Sequence, residues 1–248
     1  MIPAKLALAT APKEFSPRTV FAPNNRTRVQ STSILPYSAV VFIRVAHQMP
    51  TGVLKYTSGS GCLISANTVF TAAHVIHDDD YGWPVSIEVV PGINHSSFSN
   101  KPYGSAMAEE VAMSVQYYDS LSSLHDWGLI RLEDPIGYEC GYTGIKFVTR
   151  NMENVNITMI GYPGDLNNGT YYQYEETNAI LHDQTEDATP STYRVLLHCL
   201  DGFDGQSGGP MLYTNKCIGV YTGGLVEYPY NISLGITSQL FSFILAYG

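Results

Sequence analysis

The segment 204–210 reads DGQSGGP and places one serine, Ser207, between glycines. A serine hydroxyl becomes a good nucleophile only when a base removes its proton, and the oxyanion that forms on attack needs backbone N–H groups directed at it. Gly205 can adopt a positive φ that turns its N–H inward, and the small neighbours let a substrate backbone come close. An ordinary glycine–serine turn would have a similar composition. The pattern favours a nucleophilic serine at Ser207.

The base for such a serine has to be one of seven histidines, and none of them follows Ser207 in the chain. This order excludes the Ser–Asp–His succession of the α/β-hydrolases. His74 ends a strand-like run, and Ala72 and Ala73 before it are small enough for its ring to lie over a closely packed carboxylate. His74 is therefore the candidate base.

A catalytic histidine needs a buried carboxylate that fixes its tautomer. Asp126 directly precedes the apolar run 128–132, which places it well for that role, and Asp134 after the same run is a weaker candidate. The predicted triad is His74, Asp126 and Ser207, with separations of 52 and 81 residues.

A metal site is the competing interpretation of the same region. His77 lies one turn after His74, and the acidic run 78–80 follows it. This set lacks a third ligand of fixed geometry and leaves Ser207 without a role, and no cysteine lies in a CxxC pair. We therefore expect neither a metal nor an organic cofactor.

The elements that must position these residues are strands. The chain has 22 Gly, 14 Pro and 18 Tyr, and short β-branched or aromatic runs alternate with turn residues. This spacing is typical of a β-sandwich or barrel and not of βαβ units. The expected strands are 39–45, 61–64, 68–71, 86–90, 112–118, 128–132, 157–161, 171–174, 193–198, 210–213 and 217–222. Apolar spacing in Ser238–Tyr247 predicts a final short helix, with a last strand as the alternative.

Charge and composition limit the partners. The net charge of −9 argues against a nucleic-acid partner, because phosphate backbones need a basic surface. No apolar run approaches the roughly 18 residues that cross a bilayer, so we expect no membrane insertion. Five glycosylation sequons hint at secretion. The four cysteines, Cys62, Cys140, Cys199 and Cys217, allow two disulfides in three pairings or buried free thiols.

Three motifs, TAAH at 71–74, HDWGLI at 125–130 and GQSGGP at 205–210, resemble those of the chymotrypsin-fold serine proteases. The segments GYPGD at 161–165 and VFAPNNR at 20–26 are most similar to the V8-like glutamyl endopeptidases. The resemblance implies an all-β fold of two six-stranded antiparallel barrels, over about 30–133 and 134–236, with a C-terminal helix over about 238–247. It also implies that the N–H groups of Gly205 and Ser207 form the oxyanion hole.

The resemblance further implies a propeptide-like extension over residues 1–19 and a protease domain over 20–248. Trypsin-type enzymes carry an Asp before the nucleophile, which pairs with the freed α-amino group. Gln206 carries no charge and cannot form that ion pair. In V8-like relatives the new N-terminus lies near the substrate pocket, so we expect that cleavage after Arg18 or Thr19 frees Thr19 or Val20 and raises activity.

Specificity is less strongly implied. Tyr221 occupies the position of the pocket histidine that binds the substrate carboxylate in glutamyl endopeptidases. Asp201, six residues before Ser207, lies where trypsin-like enzymes bind Lys or Arg, yet some glutamyl endopeptidases share it. Thr222 matches the hydroxyl residue that supports the triad Asp in relatives, with an ordinary strand threonine as the alternative. The expected substrate-binding residues are Val20, Asp201, Gly202, Tyr221, Thr222, Gly223 and Gly224.

These observations predict a secreted, monomeric serine endopeptidase that acts on polypeptide substrates through an acyl-enzyme. A preference for acidic P1 residues and one for basic P1 residues both remain open. A non-catalytic relative that uses the same fold to bind a partner is the main alternative.

Overall fold

We describe a computed structural model that covers residues 19–185, 193–224 and 230–247. The expected extension over 1–19 lies outside these residues, apart from Thr19. The strands are β1 (Thr27–Arg28), β2 (Val40–Gln48), β3 (Leu54–Leu63), β4 (Thr68–Thr71), β5 (Ser86–Pro91), β6 (Ala106–Met113), β7 (Gly128–Leu132), β8 (Asn156–Gly161), β9 (Tyr174–Thr185), β10 (Arg194–His198), β11 (Pro210–Tyr213), β12 (Lys216–Gly224) and β13 (Asn231–Gly235). The helices are α1 (Ala73–Ile76), α2 (Val115–Ser120), α3 (Gly137–Cys140), α4 (Gly164–Asn167) and α5 (Ser238–Tyr247).

The first barrel closes in the order β2-β3-β4-β7-β6-β5. Successive side chains of β2 point to opposite faces, and both faces are buried. Val41 and Ile43 pack inside the barrel with Leu63, Val69 and Ile130. Val40 and Phe42, on the opposite face, belong to a cluster shared with the second barrel, so the first half of β2 is apolar on both sides.

The second barrel contains six strands in the order β9-β10-β13-β12-β11-β8, and β8 closes the ring by pairing with β9. β1 adds a short antiparallel pairing alongside β9. The two barrels meet in one apolar cluster that includes Phe42, Phe70 and Leu129 from the first and Tyr162 and Val220 from the second. The expected two-barrel fold is confirmed.

The C-terminal helix is also confirmed. In α5, Leu240 and Ile244 are buried in the cluster between the barrels, one helical turn apart on the same face. The helix therefore packs against the junction of the two barrels.

Some expected strands differ from those observed. The run 112–118 was expected as one strand, but β6 ends at Met113 and α2 begins at Val115. Ser114 ends the strand because its hydroxyl accepts the N–H of Tyr117 at 3.4 Å as a helix cap. Of the expected strand 171–174 only Tyr174 belongs to β9, which begins there and continues to Thr185. β13 was not expected at all.

The cysteines form no disulfide. Cys62, Cys140 and Cys217 are buried, and burial raises the pKa of the Cys62 thiol to about 12. The alternative of free thiols therefore applies.

Candidate active site

Strand register brings His74 and Asp126 together. β4 and β7 pair antiparallel with Thr71 opposite Gly128, so the chain after β4 and the chain before β7 lie side by side. His74 lies in α1 just after β4, and Asp126 just before β7. Gly128 lets α1 pack closely on the strand, because a Cβ would lie 2.5 Å from Ile76 Cδ1.

The Asp126 carboxylate contacts His74 twice. Its Oδ2 lies 2.7 Å from His74 Nδ1, and its Oδ1 accepts the His74 backbone N–H at 2.9 Å. Asp126 is fully buried, whereas the His74 side chain is 19% exposed. This arrangement fixes the ring by one edge and leaves the other edge towards the cleft.

Ser207 lies on a loop bonded to both barrels. The N–H of Ser60 on β3 donates to the Ser207 carbonyl oxygen at 2.8 Å, and the Gly208 N–H donates to the Tyr221 carbonyl oxygen at 2.8 Å. Gly205 and Gly208 have φ values of 91° and 78°, which favour glycine. The peptide unit between Ser207 and Gly208 is therefore held by main-chain bonds to both barrels.

Ser207, His74 and Gly205 share one cleft of about 620 Å³. Phe42 and Tyr171 contribute to its aromatic wall. The structure thus brings the three triad candidates and Gly205 to one place.

Backbone bonds orient the candidate oxyanion hole. The Gly164 N–H donates to the Asp204 carbonyl oxygen at 2.7 Å. Because the N–H and C=O of a trans peptide point in opposite directions, the Gly205 N–H points away from Gly164. The Ser60 hydroxyl donates to the Gly205 carbonyl oxygen at 2.7 Å and accepts the Tyr162 N–H at 3.0 Å. No motif in the sequence indicates this role for Ser60, which lies in β3 just before the expected strand 61–64.

The expected pocket residues of β12 are buried. Tyr221 lies against Gly202, where a Cβ would come within 1.9 Å of the tyrosyl hydroxyl oxygen. The Thr222 hydroxyl donates to the Ile232 carbonyl oxygen at 3.4 Å, within the second barrel. Gly223 and Gly224 continue the strand and pair with β13.

Asp201 lies under the N-terminal segment. It is fully buried, and its carboxylate accepts the N–H groups of Phe21 at 2.5 Å and Asn25 at 2.7 Å. Val20, beside Phe21, is 37% exposed. The Asp201 carboxylate thus binds backbone N–H groups of this chain. Its spacing from Ser207 had suggested a contact with substrate instead.

Burial controls the charges around the pocket. It lowers the pKa of His198 to about 3, so this ring is neutral, and its Nε2 lies 2.9 Å from the Ser233 hydroxyl oxygen. Burial also raises the pKa of Glu176 to about 7. Glu176 accepts the Asp201 N–H at 2.7 Å, and the Asp201 charge opposes its ionisation.

The region of the alternative metal site has other contacts. The His77 ring packs against Trp83 and Tyr118, with centroids 5.0 and 5.5 Å away. The Asp78 carboxylate accepts backbone N–H groups of the turn that follows it. Among the described residues, no group of three or more His, Cys, Asp or Glu side chains is arranged to hold a metal.

The helices of the described part of the chain are all too short or too polar to span a membrane.

Comparisons with known proteins agree with this architecture. The family model described as Trypsin matches residues 31–240. A glutamyl endopeptidase of Bacillus licheniformis is 32% identical, over 96% of this chain and 71% of that protein. A protein of Bacillus subtilis named extracellular metalloprotease is 28% identical, over 91% of this chain and 68% of its own length.

A solved structure of a Glu endopeptidase in complex with MPD superposes with a TM-score of 0.78 at 26% identity, covering 92% of this chain and 99% of that one. The resemblance to the V8-like glutamyl endopeptidases is confirmed. The chain therefore belongs to the trypsin family of chymotrypsin-fold serine endopeptidases.

Proposed function

We propose that this endopeptidase cleaves peptide bonds with Ser207 as nucleophile, His74 as base and Asp126 as the partner of His74. The observation that carries this proposal is the double contact between Asp126 and His74 at the wall of the cleft that also contains Ser207. Asp126 holds Nδ1, which leaves Nε2 to take the proton of the serine hydroxyl.

In the reaction, the Ser207 oxygen attacks the scissile carbonyl and its proton passes to His74. The N–H groups of Gly205 and Ser207 stabilise the oxyanion, and protonated His74 gives its proton to the leaving amine. Water then attacks the acyl-enzyme while His74 takes its proton, and His74 returns that proton to the Ser207 oxygen as the bond to the acyl group breaks. None of these steps requires a metal or an organic cofactor.

The substrate would lie along two surfaces. The part of the substrate peptide that precedes the scissile bond would bind as an added strand along β12 at Thr222–Gly224. The cleft of about 620 Å³ is lined by residues of the first barrel and of segment 162–171, in addition to His74, Gly205 and Ser207. It therefore suits the leaving-group side of the peptide.

For the P1 side chain we propose an acidic preference. Both oxygens of the buried Asp201 carboxylate already accept backbone N–H groups, which argues against a Lys or Arg substrate. Neither Tyr221 nor neutral His198 supplies a positive charge for a glutamate. We propose that the α-ammonium group of a processed N-terminus supplies this charge.

The contacts of Thr19 support this source of charge. Its carbonyl oxygen accepts the Gly202 N–H at 3.0 Å, and its N–H donates to Asn231 Oδ1 at 3.1 Å. Removal of the extension after Arg18 or Thr19 would leave an ammonium group beside Gly202, an expected pocket residue.

The test of the chemistry is Ser207→Ala together with labelling by a fluorophosphonate probe. We expect the parent chain to be labelled and Ser207→Ala to lose nearly all turnover with its fold intact. Turnover of Ser207→Ala at the parent rate would remove the triad, and a folded parent chain that neither reacts with the probe nor hydrolyses peptides would be the non-catalytic relative. Loss of activity with a chelator would favour the metal site.

The test of specificity is a peptide library cleaved by chains that begin at Thr19 or Val20. We expect cleavage after Glu, a reduced rate for the unprocessed chain, and loss of the Glu over Gln preference when the terminal amine is acetylated. An uncut chain as active as the trimmed one would contradict the role of processing.

We also propose that residues 1–19 form a propeptide, and that the protein is secreted and works as a monomer. The sequons at Asn25 and Asn94 agree with secretion, as does the description of the Bacillus subtilis relative as extracellular. Recovery of the protein from the medium of the producing cells, and its mass in solution, would test these points.

A further inference from the structure

Arg26 is a buried cation at the junction between the N-terminal segment and the loop that carries Ser207. Its side chain is fully buried. Burying a guanidinium group is costly unless ion pairs and hydrogen bonds replace its water. The partners of Arg26 therefore indicate which segments this cation holds together.

Arg26 binds two segments at once. Its Nη1 and Nη2 donate to Asp165 Oδ1 and Oδ2 at 2.9 and 2.5 Å, a two-point ion pair. Nη1 also donates to Gln206 Oε1 at 2.9 Å. The remaining bond, from Nε to Asn24 Oδ1 at 3.1 Å, holds the guanidinium plane against its own segment.

Each partner borders the candidate oxyanion hole. Gln206 directly precedes Ser207, and its Oε1 also accepts the Phe203 N–H at 3.0 Å. Asp165 follows Gly164, whose N–H holds the Asp204 carbonyl oxygen at 2.7 Å. Arg26 thus connects Gln206, within the loop that carries the Gly205 N–H, to the neighbouring segment 164–165 that binds the same loop at Asp204.

The position of Arg26 is fixed from the same loop. Asp201 accepts the N–H groups of Phe21 and Asn25, and the Asn231 side chain donates to the Thr19 carbonyl oxygen at 2.7 Å. These contacts anchor residues 19–25 to the second barrel. The Arg26 backbone, which follows directly, is therefore held in place beside Asp165 and Gln206.

We propose that Arg26 is a positioning residue for the oxyanion hole. Its positive charge, buried between Asp165 and Gln206, keeps the Gly205 and Ser207 N–H groups aligned in a chain whose residue before the nucleophile cannot form an ion pair. This proposal rests on the proposed function of Ser207. It is regulatory in effect, because the N-terminal segment then contributes to catalytic geometry as well as to substrate binding.

The effect should fall on the transition state. Oxyanion donors act on charge that is present only during reaction, so their misalignment lowers kcat and leaves KM nearly unchanged. Loss of one whole donor costs on the order of 100- to 1,000-fold in kcat. Because Arg26 acts through other residues, we expect a smaller loss of about 10- to 100-fold for Arg26→Ala.

The experiment compares Arg26→Ala and Arg26→Lys with Arg28→Ala in the full chain. Arg28 is the matched control, since it is an exposed cation of the same segment that lies over the Tyr172 ring. All rates are divided by the number of sites titrated to completion with a fluorophosphonate. We expect Arg28→Ala to remain within about twofold of the parent chain, Arg26→Ala to lose kcat, and Arg26→Lys to fall between them because Lys cannot make the two-point bond.

Two further readouts separate positioning from general support of the fold. A peptide aldehyde forms a hemiacetal with Ser207 whose oxygen occupies the hole, so its affinity should fall as kcat falls, while the affinity of a cleavage product stays constant. Methylguanidine should restore part of the kcat of Arg26→Ala.

Equal kcat per titrated site in Arg26→Ala and the parent chain would overturn the proposal. So would a loss confined to KM, or equal losses of aldehyde and product affinity. If Arg26→Ala does not fold, Arg26→Lys decides by the same measurements. Failure of the proposed function would be seen separately, as turnover in Ser207→Ala.

Discussion

The carboxylate of Asp126 binds His74 at both its ring and its backbone. The ring contact is 2.7 Å from Oδ2 to Nδ1, and the backbone contact is 2.9 Å from the His74 N–H to Oδ1. The second contact fixes the His74 backbone at the start of α1. The ring can therefore move only by rotation about the side-chain bonds of His74. One buried acid therefore determines the position, the orientation and the tautomer of the proposed base.

Asp126→Asn should keep the fold and lose the reaction. An amide in this place can donate to Nδ1 and stabilise the wrong tautomer, for which a loss of roughly 10⁴-fold in kcat is the scale known from serine proteases. We expect a fall of about 10³- to 10⁴-fold in kcat, measured with a peptide substrate, and an unchanged circular dichroism spectrum. Asp134→Asn, the weaker sequence candidate, is the control and should keep parental activity. The reverse pattern would assign the role to Asp134.

The sequence was sufficient to find this pair because both residues lie in short motifs that end or begin strands. TAAH and HDWGLI flank β4 and β7, and the register of those strands brings the motifs together. The alternation of short strands and turns predicted a β-sandwich or barrel, and the resemblance to the chymotrypsin-fold proteases implied that there are two barrels.

The contacts of Arg26 could not be found in that way. Arg26 is separated by 139 residues from Asp165 and by 180 from Gln206, and none of the three lies in a pattern that requires the others. Asp201 shows the same limit, since its spacing from Ser207 suggested a substrate contact, but its carboxylate binds Phe21 and Asn25. Long-range polar contacts depend on the completed fold, which local periodicity does not describe.

Gly208→Ala should prevent formation of the active loop. A Cβ at this position would lie 2.0 Å from Thr71 Oγ1 and 2.3 Å from the Ser60 carbonyl oxygen, at a φ of +78°. We expect a loss of about 3 kcal/mol in the free energy of unfolding, from overpacking and backbone strain together. Gly104→Ala is the matched control, because its φ is +80° but no atom lies within 4 Å of its Cβ, and it should lose about 1 kcal/mol. Urea unfolding measures both, and equal losses would refute the steric argument.

Glu176→Gln should make stability less dependent on pH. Burial raises the pKa of Glu176 to about 7, and the nearby Asp201 charge adds to the effect while Arg26 opposes it. Between the unfolded pKa of about 4.3 and the folded value, the native state holds a proton that the unfolded state has lost. Stability contributed by this group therefore falls as pH rises through that window, and the full penalty is present above it.

The measurement for Glu176 is the melting temperature from pH 4 to pH 8 in steps. The parent chain should lose more stability than Glu176→Gln between about pH 4.3 and pH 7, and the two curves should run parallel above that window. Glu175→Gln, on the adjacent position of β9, is the control for general charge removal. Curves of parent and variant that stay parallel from pH 4 to pH 8 would show that Glu176 ionises normally in the folded chain.

Tyr171→Ala should change which residues are accepted after the scissile bond. Tyr171 lines the cleft and packs edge-to-face on Phe42 at 5.2 Å, next to a wall that includes Tyr56. Aromatic contacts contribute about 0.5–1.5 kcal/mol, so we expect the parent chain to favour Phe over Ala at the first or second leaving-group position by about 3- to 10-fold in kcat/KM. Quenched-fluorescence peptides that differ only at those positions measure the ratio, and it should approach one in Tyr171→Ala. Tyr138→Ala, a 77% exposed tyrosine outside the cleft lining, should keep the parental ratio. If Tyr171→Ala also keeps it, the cleft does not bind the leaving-group side through this wall.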